Sequence, residues 1–173
     1  MNGKLSGKVQ TVLGTIQPED LGITLTHEHL LIDLTVALRP ANNASDLGFY
    51  HKPVSQETLG RIRYYGAQNE DNAQLFEVST AIDEVMAYKQ HGGVSLVDAT
   101  SMGIARDPVG LSRISNGTGV NIIMGSSYYV ADSHPSDMEK LTEDNLAERV
   151  VLDIREGVAG TGIKSGVIGE FAC

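Results

Sequence analysis

The segment "ITLTHEH", residues 23–29, places two of the chain's five histidines one residue apart. Side chains alternate faces along an extended strand, so His27 and His29 share one face and Glu28 takes the other. Two neutral imidazoles on one face can hold one divalent cation, and zinc suits them. The competing reading is that both rings are hydrogen-bonded core or rim groups. Two ligands do not complete a site, so a carboxylate or a third histidine has to converge from elsewhere. Glu170, in "SGVIGEFAC", is the best candidate. A carboxylate inside an apolar strand is costly unless it is paired or metal-bound, and a structural ion pair is the alternative there. His51 falls in a turn-rich stretch and His134 in the turn "DSHPSD". His91 falls at a helix C-terminus, where an imidazolium suits the helix dipole. Asp98 closes "LVDAT", where a buried structural pairing competes with a hydrogen bond to a metal ligand.

The surrounding elements have to bring these groups together. "GKVQTVLGTI", residues 7–16, alternates apolar and polar and reads as one strand; after the turn "QPEDLG", "ITLTHEH" reads as its hairpin partner. Residues 39–55, "RPANNASDLGFYHKPVS", read as a long loop. From Asn72, residues Leu75, Val78, Ile82, Val85 and Met86 fall on one helical face, and Gly92 and Gly93 end the run. "VSLVDAT" then reads as a buried strand. "DPVGLSRIS" reads as a short helix capped by Asp107, with Pro108 at its first position and Arg106 assigned with it to capping. "VNIIMG" is another strand. Thr142 caps a helix striped by Leu146, Val150, Val151 and Ile154, and "GVIGEF" is the last strand. Strands alternating with helices imply a parallel α/β sheet, either open and doubly wound or rolled into a barrel. A barrel needs eight parallel strands and four are present, so in that case this is half of one.

Composition narrows the partners. The chain has 173 residues and a net charge of -9, with 41% hydrophobic and 20% charged residues. That suits one globular domain and argues against nucleic acid or an anionic membrane surface. The single cysteine, Cys173, excludes a disulfide framework. With no apolar leader and no run of about 18 apolar residues, a cytoplasmic protein acting on a small molecule is the expectation.

Four segments taken in order resemble the phosphotriesterase family of the amidohydrolase superfamily. "GITLTHEHLLIDL" resembles its first barrel strand, "GGVSLVDATSMGIARDPVGL" its second strand and the following turn, and "VNIIMGSSYYV" its third. "KSGVIGEFAC" is similar to the fourth strand of the phosphotriesterase-related branch, where the organophosphate-degrading enzymes carry a carboxylated lysine. The resemblance runs from about residue 7 to the C-terminus. It implies a (β/α)8 TIM-barrel fold, here about four β/α units plus an N-terminal hairpin within residues 1–173. It also implies a binuclear zinc centre with His27 and His29 on the buried metal and Glu170, or Gly169 one step earlier, at the bridging position. Tyr129 would then lie near the reacting water as a catalytic group.

The activity so implied is hydrolysis of an ester, lactone, amide or phosphoester bond through a metal-bridging hydroxide. The family's later ligands, two histidines and an aspartate from strands five, six and eight, have no counterpart in this sequence. The chain therefore reads as a truncated barrel of negligible activity alone. The alternative is a non-catalytic fragment that folds only by self-association, forming a homo-oligomer through the unpaired edges of "ITLTHEH" and "GVIGEF". A third reading is an open α/β domain whose histidines are structural.

Overall fold

The computed structural model describes residues 6–39 and 41–171, and Cys173 lies outside that range. The strands are β1 (Val9–Thr11), β2 (Gly14–Ile16), β3 (Ile23–Glu28), β4 (Ile32–Asp33), β5 (Gln74–Leu75), β6 (Gly93–Asp98), β7 (Asn121–Ser126) and β8 (Val167–Ile168). The α-helices are α1 (Ala44–Tyr50), α2 (Gln56–Tyr65), α3 (Val78–Gln90), α4 (Pro108–Thr118) and α5 (Glu143–Arg155). The chain divides into two compact units. One joins the residues up to Leu31 with those from Glu77 onward, and the other is Ile32–Phe76.

The first unit is a parallel sheet in the order β3-β6-β7-β8, with α3, α4 and α5 in the connections. This is the strand and helix succession of a (β/α)8 barrel, carried through four strands. The inner strands are buried along almost their whole length, as expected of parallel strands covered on both faces. Leu96, Ile122 and Met124 from the sheet pack with Ala81 and Val85 of α3 and Leu111 and Ile114 of α4 in one core. The helix starts are encoded locally. The Asp107 carboxylate accepts from the Gly110 N–H with Pro108 at the first helical position, and the Thr142 hydroxyl accepts from the Asn145 N–H. Among the described residues, no helix is long and apolar enough to cross a membrane.

The N-terminal hairpin is not where alternation places it. "GKVQTVLGTI" folds back on itself, pairing Val9 with Ile16 and Thr11 with Gly14, while β3 pairs in parallel with β6. Gly14, at a φ of 128°, permits the tight reversal, and the Thr11 hydroxyl donates to its carbonyl. A two-residue turn preserves the period of two, so this hairpin is indistinguishable from one strand by pattern alone. The hairpin meets the sheet at the start of β7, where the Val12 N–H donates to the Ile122 carbonyl at 2.8 Å. Gly166, which leads into β8, lies against it: a Cβ there would fall 2.1 Å from the Gln10 carbonyl oxygen. Backbone against backbone leaves little room for relaxation. Gly166→Val is expected to destabilise the fold by about 1–3 kcal/mol or more, read as a lower urea midpoint. An unchanged midpoint would show that the hairpin does not seat there.

The second unit corrects the loop reading of residues 39–55. Helix α1 lies inside that stretch, capped by Asn43, whose side chain accepts from the Asp46 N–H. Helix α2 follows, capped by Ser55. Arg61 of α2 reaches Asp46 at 2.7 Å and lies 4.0 Å over the Phe49 ring, while the buried Asn69 amide donates to the Phe49 and Lys52 carbonyls. The turn-forming residues that suggested a loop are the caps of two short helices. The apolar period starting at Asn72 is also not one helix, because β5 intervenes and α3 begins only at Val78.

Candidate metal centre

The C-terminal ends of the parallel strands are where α/β folds gather side chains. His27 and His29 sit at the end of β3, which is irregular there. Leu25 pairs with Leu96 and Glu28 with Asp98, so three steps on β3 match two on β6. Such a bulge re-aims side chains. The two Nε2 atoms come within 3.3 Å with the rings edge to face. From the far edge of the sheet, Glu170 brings Oε2 to 3.6 Å from His27 Nε2 and 3.5 Å from His29 Nε2. The first and last strands of the sheet thus meet at their ends, which requires the sheet to be curled.

The three donors form a nearly equilateral triangle. Three corners of a tetrahedron with bonds of about 2.0–2.1 Å are about 3.3–3.4 Å apart, so the triangle fits one zinc-sized cation with its fourth position open.

The register of the last strand favours Glu170 over Gly169. A Cβ on Gly169 would lie 3.1 Å from the Gly125 Cα, so this residue serves a close approach of β8 to β7, and the next one reaches the site. The backbone of Glu170 is held by Ser127, whose buried hydroxyl donates to its carbonyl at 2.6 Å. Asp98 does not hydrogen-bond to a ligand. Its oxygens accept from the Leu30 N–H at 2.8 Å and the Thr100 N–H at 3.1 Å. Burial pushes its carboxyl above the usual range, while those N–H donors pull the other way. The residue beside His29 is Thr100, with Oγ1 3.0 Å from Nδ1. Sequence reasoning passed it over because an isolated threonine after a strand has no distinguishing mark.

The remaining candidates lie elsewhere. Tyr129 is half-buried and lines an apolar cavity of about 500 Å³ with Leu146, Val150, Ile168 and Phe171. Among the described residues its phenol has no hydrogen-bond partner; its carbonyl accepts from His134 Nε2. His51 pairs with Glu70, and His91 Nδ1 donates to the Ala87 carbonyl at its helix end. Arg106 is not a cap. It is buried against Asp153 at 2.7 Å, a partner that sequence reasoning missed because the two are 47 residues apart.

The sequence pattern of the phosphotriesterase family matches residues 7–173. The chain belongs to the phosphotriesterase family. An N-acetyltaurine hydrolase of Xenopus tropicalis is 40% identical over 170 residues, covering 98% of this chain and 48% of that protein. A phosphotriesterase-related protein of Nematostella vectensis is 37% identical over 171 residues, covering 97% and 49%. A crystal structure of a resiniferatoxin-binding protein from Rhodobacter sphaeroides superposes with a TM-score of 0.92 at 40% identity, covering 95% of this chain and 46% of that one. The chain thus spans about half the length of the curated relatives it matches. The relatives it matches are named as hydrolases, and the parallel α/β succession agrees with the barrel fold that the four strand segments imply.

Proposed function

We propose that His27, His29 and Glu170 hold a divalent cation, zinc by donor preference, and supply these ligands to the active centre of a small-molecule hydrolase. The observation that carries this reading is the triangle of three donors within 3.6 Å of one another. When bound, the cation supplies Lewis acidity toward the scissile carbonyl and the attacking water. The chain's own residues hold that triangle. The bulge in β3 turns both imidazoles inward, Ser127 fixes the Glu170 backbone, and Asp98 fixes the backbone after His29. Tyr129 lines the apolar cavity beside α5 rather than the triangle, and is given no role at the cation. The identity to N-acetyltaurine hydrolases favours an amide over the ester, lactone and phosphoester bonds that the family resemblance also allows.

The test is metal content after exhaustive dialysis against micromolar zinc. One equivalent is expected, and none in the His27→Ala/His29→Ala double variant. Equal zinc in both proteins would reject the reading. Turnover of N-acyl amino sulfonates against lactones, aryl esters and phosphotriesters ranks the bond classes.

The edges of the sheet bear on association. Ile23 on β3 and Ile168 on β8 are 63% and 59% exposed, and Phe171 is 56% exposed. Apolar residues on open strand edges favour pairing with another chain. The 173-residue polypeptide on its own is expected to elute as a homo-oligomer in light scattering. A monodisperse monomer at tens of micromolar would contradict this.

A further inference from the structure

We infer that Thr100 is the positioning residue that sets the tautomer of His29, turning its Nε2 lone pair toward His27 and Glu170. The inference about the tautomer stands on hydrogen bonds alone; its consequence for cation binding rests on the metal reading above.

Thr100 follows β6, the strand beside β3, and is fully buried. Its Oγ1 lies 3.0 Å from His29 Nδ1 and 3.3 Å from the Leu31 carbonyl oxygen. The hydroxyl has one proton; given to the Leu31 carbonyl, which can only accept, it leaves the oxygen as acceptor and His29 Nδ1 as the donor. A neutral imidazole that carries its proton on Nδ1 presents a lone pair at Nε2, the nitrogen 3.3 Å from His27 Nε2 and 3.5 Å from Glu170 Oε2.

The hydroxyl is itself held firmly. The Thr100 N–H donates to Asp98 Oδ1, and Asp98 Oδ2 accepts from the Leu30 N–H, the residue after His29. One buried carboxylate therefore ties together the backbones that carry the ring and the hydroxyl. A β-branched side chain in a buried site also has restricted χ1 freedom. Metal-ligating histidines commonly give their second N–H to a carboxylate or a carbonyl. Here a threonine relays that bond to a carbonyl.

The test uses the full chain and three side chains at position 100. Long-range 1H–15N NMR of the metal-free protein, with its imidazoles neutral, reads the His29 tautomer directly. The unaltered protein and Thr100→Ser are expected to carry the proton on Nδ1. Thr100→Val, which has nearly the same shape and no hydroxyl, is expected to lose that preference. Cobalt titration followed by visible absorption should show affinity reduced about 10–100-fold in Thr100→Val and largely retained in Thr100→Ser.

An Nε2-protonated His29 in the unaltered protein would overturn the inference whether or not any variant folds. So would an unchanged tautomer in a folded Thr100→Val, or an equal loss of affinity in the serine and valine variants. If the unaltered protein binds no cobalt, the metal reading fails, while the tautomer of the metal-free protein still decides the role of Thr100.

Discussion

Arg106→Ala is expected to cost about 3–5 kcal/mol, the usual penalty for stranding one partner of a buried ion pair. The Arg106 and Asp153 side chains are 4% and 2% exposed, so water cannot replace the lost partner. The guanidinium donates to Asp153 Oδ2 at 2.7 Å and to the Gly125 carbonyl at 3.0 Å. Asp153 Oδ2 also accepts from the Ser126 hydroxyl at 2.9 Å, and its backbone carbonyl accepts from the Ser165 N–H. Helix α5, the end of β7 and the approach to β8 are thus joined through one residue, the first two by its carboxylate and the last by its carbonyl. Arg149, 3.5 Å away and half-exposed, cannot take over, because exposed ion pairs are worth about 0–1 kcal/mol. Chemical denaturation gives the loss. Arg106→Met with Asp153→Leu should recover part of it, because apolar replacement of a buried pair is often close to neutral. A loss below about 1 kcal/mol in the single variant would mean that Asp153 is solvated after all.

Glu170→Ala is expected to lower zinc affinity by more than the roughly 10–100-fold that removal of a mere supporting partner costs. The carboxylate is the anionic member of the triangle, and the donor that the far edge of the sheet contributes. Without it, two neutral imidazoles remain and no negative charge offsets the cation. Glu170→Gln keeps the shape but removes the charge, so it should fall close to the alanine variant. Competition with a zinc chelator reads both. Because the Glu170 side chain is 26% exposed, neither variant should cost more than about 0.5 kcal/mol of stability in the metal-free protein, read by urea denaturation. Wild-type affinity in Glu170→Ala would remove Glu170 from the centre.

Much of this was legible in the sequence where a local rule dominates. Strand parity put His27 and His29 on one face. Asp107-Pro108 and Thr142 marked helix starts that the structure keeps. The cost of a carboxylate in an apolar strand singled out Glu170 as the third donor, with a structural ion pair as the alternative, and the family resemblance placed it with the histidines; no local rule reports the curl of the sheet that brings it there. The hairpin was misplaced because a tight turn does not interrupt alternation. Helices α1 and α2 were missed because Asn43 and Ser55 signal a cap as readily as a loop. Thr100 and Asp153 act through partners far away in the chain, and nothing next to them in the sequence announces it.

The two arms of the centre are not equally anchored. Strand β3 is registered against β6 at four positions, whereas β8 pairs with β7 at two, Gly125 with Val167 and Ser126 with Ile168, flanked by bonds from the Gly166 N–H to the Met124 carbonyl and from the Gly169 N–H to the Ser126 carbonyl. Openings of low cost begin where the fewest backbone bonds must break. The histidine arm is therefore a fixed jaw and the carboxylate arm a hinged one. Exchange of a bound ion would begin with Glu170 swinging out on its short strand, leaving His27 and His29 in place, and the Ser127 hydroxyl is the latch on that hinge.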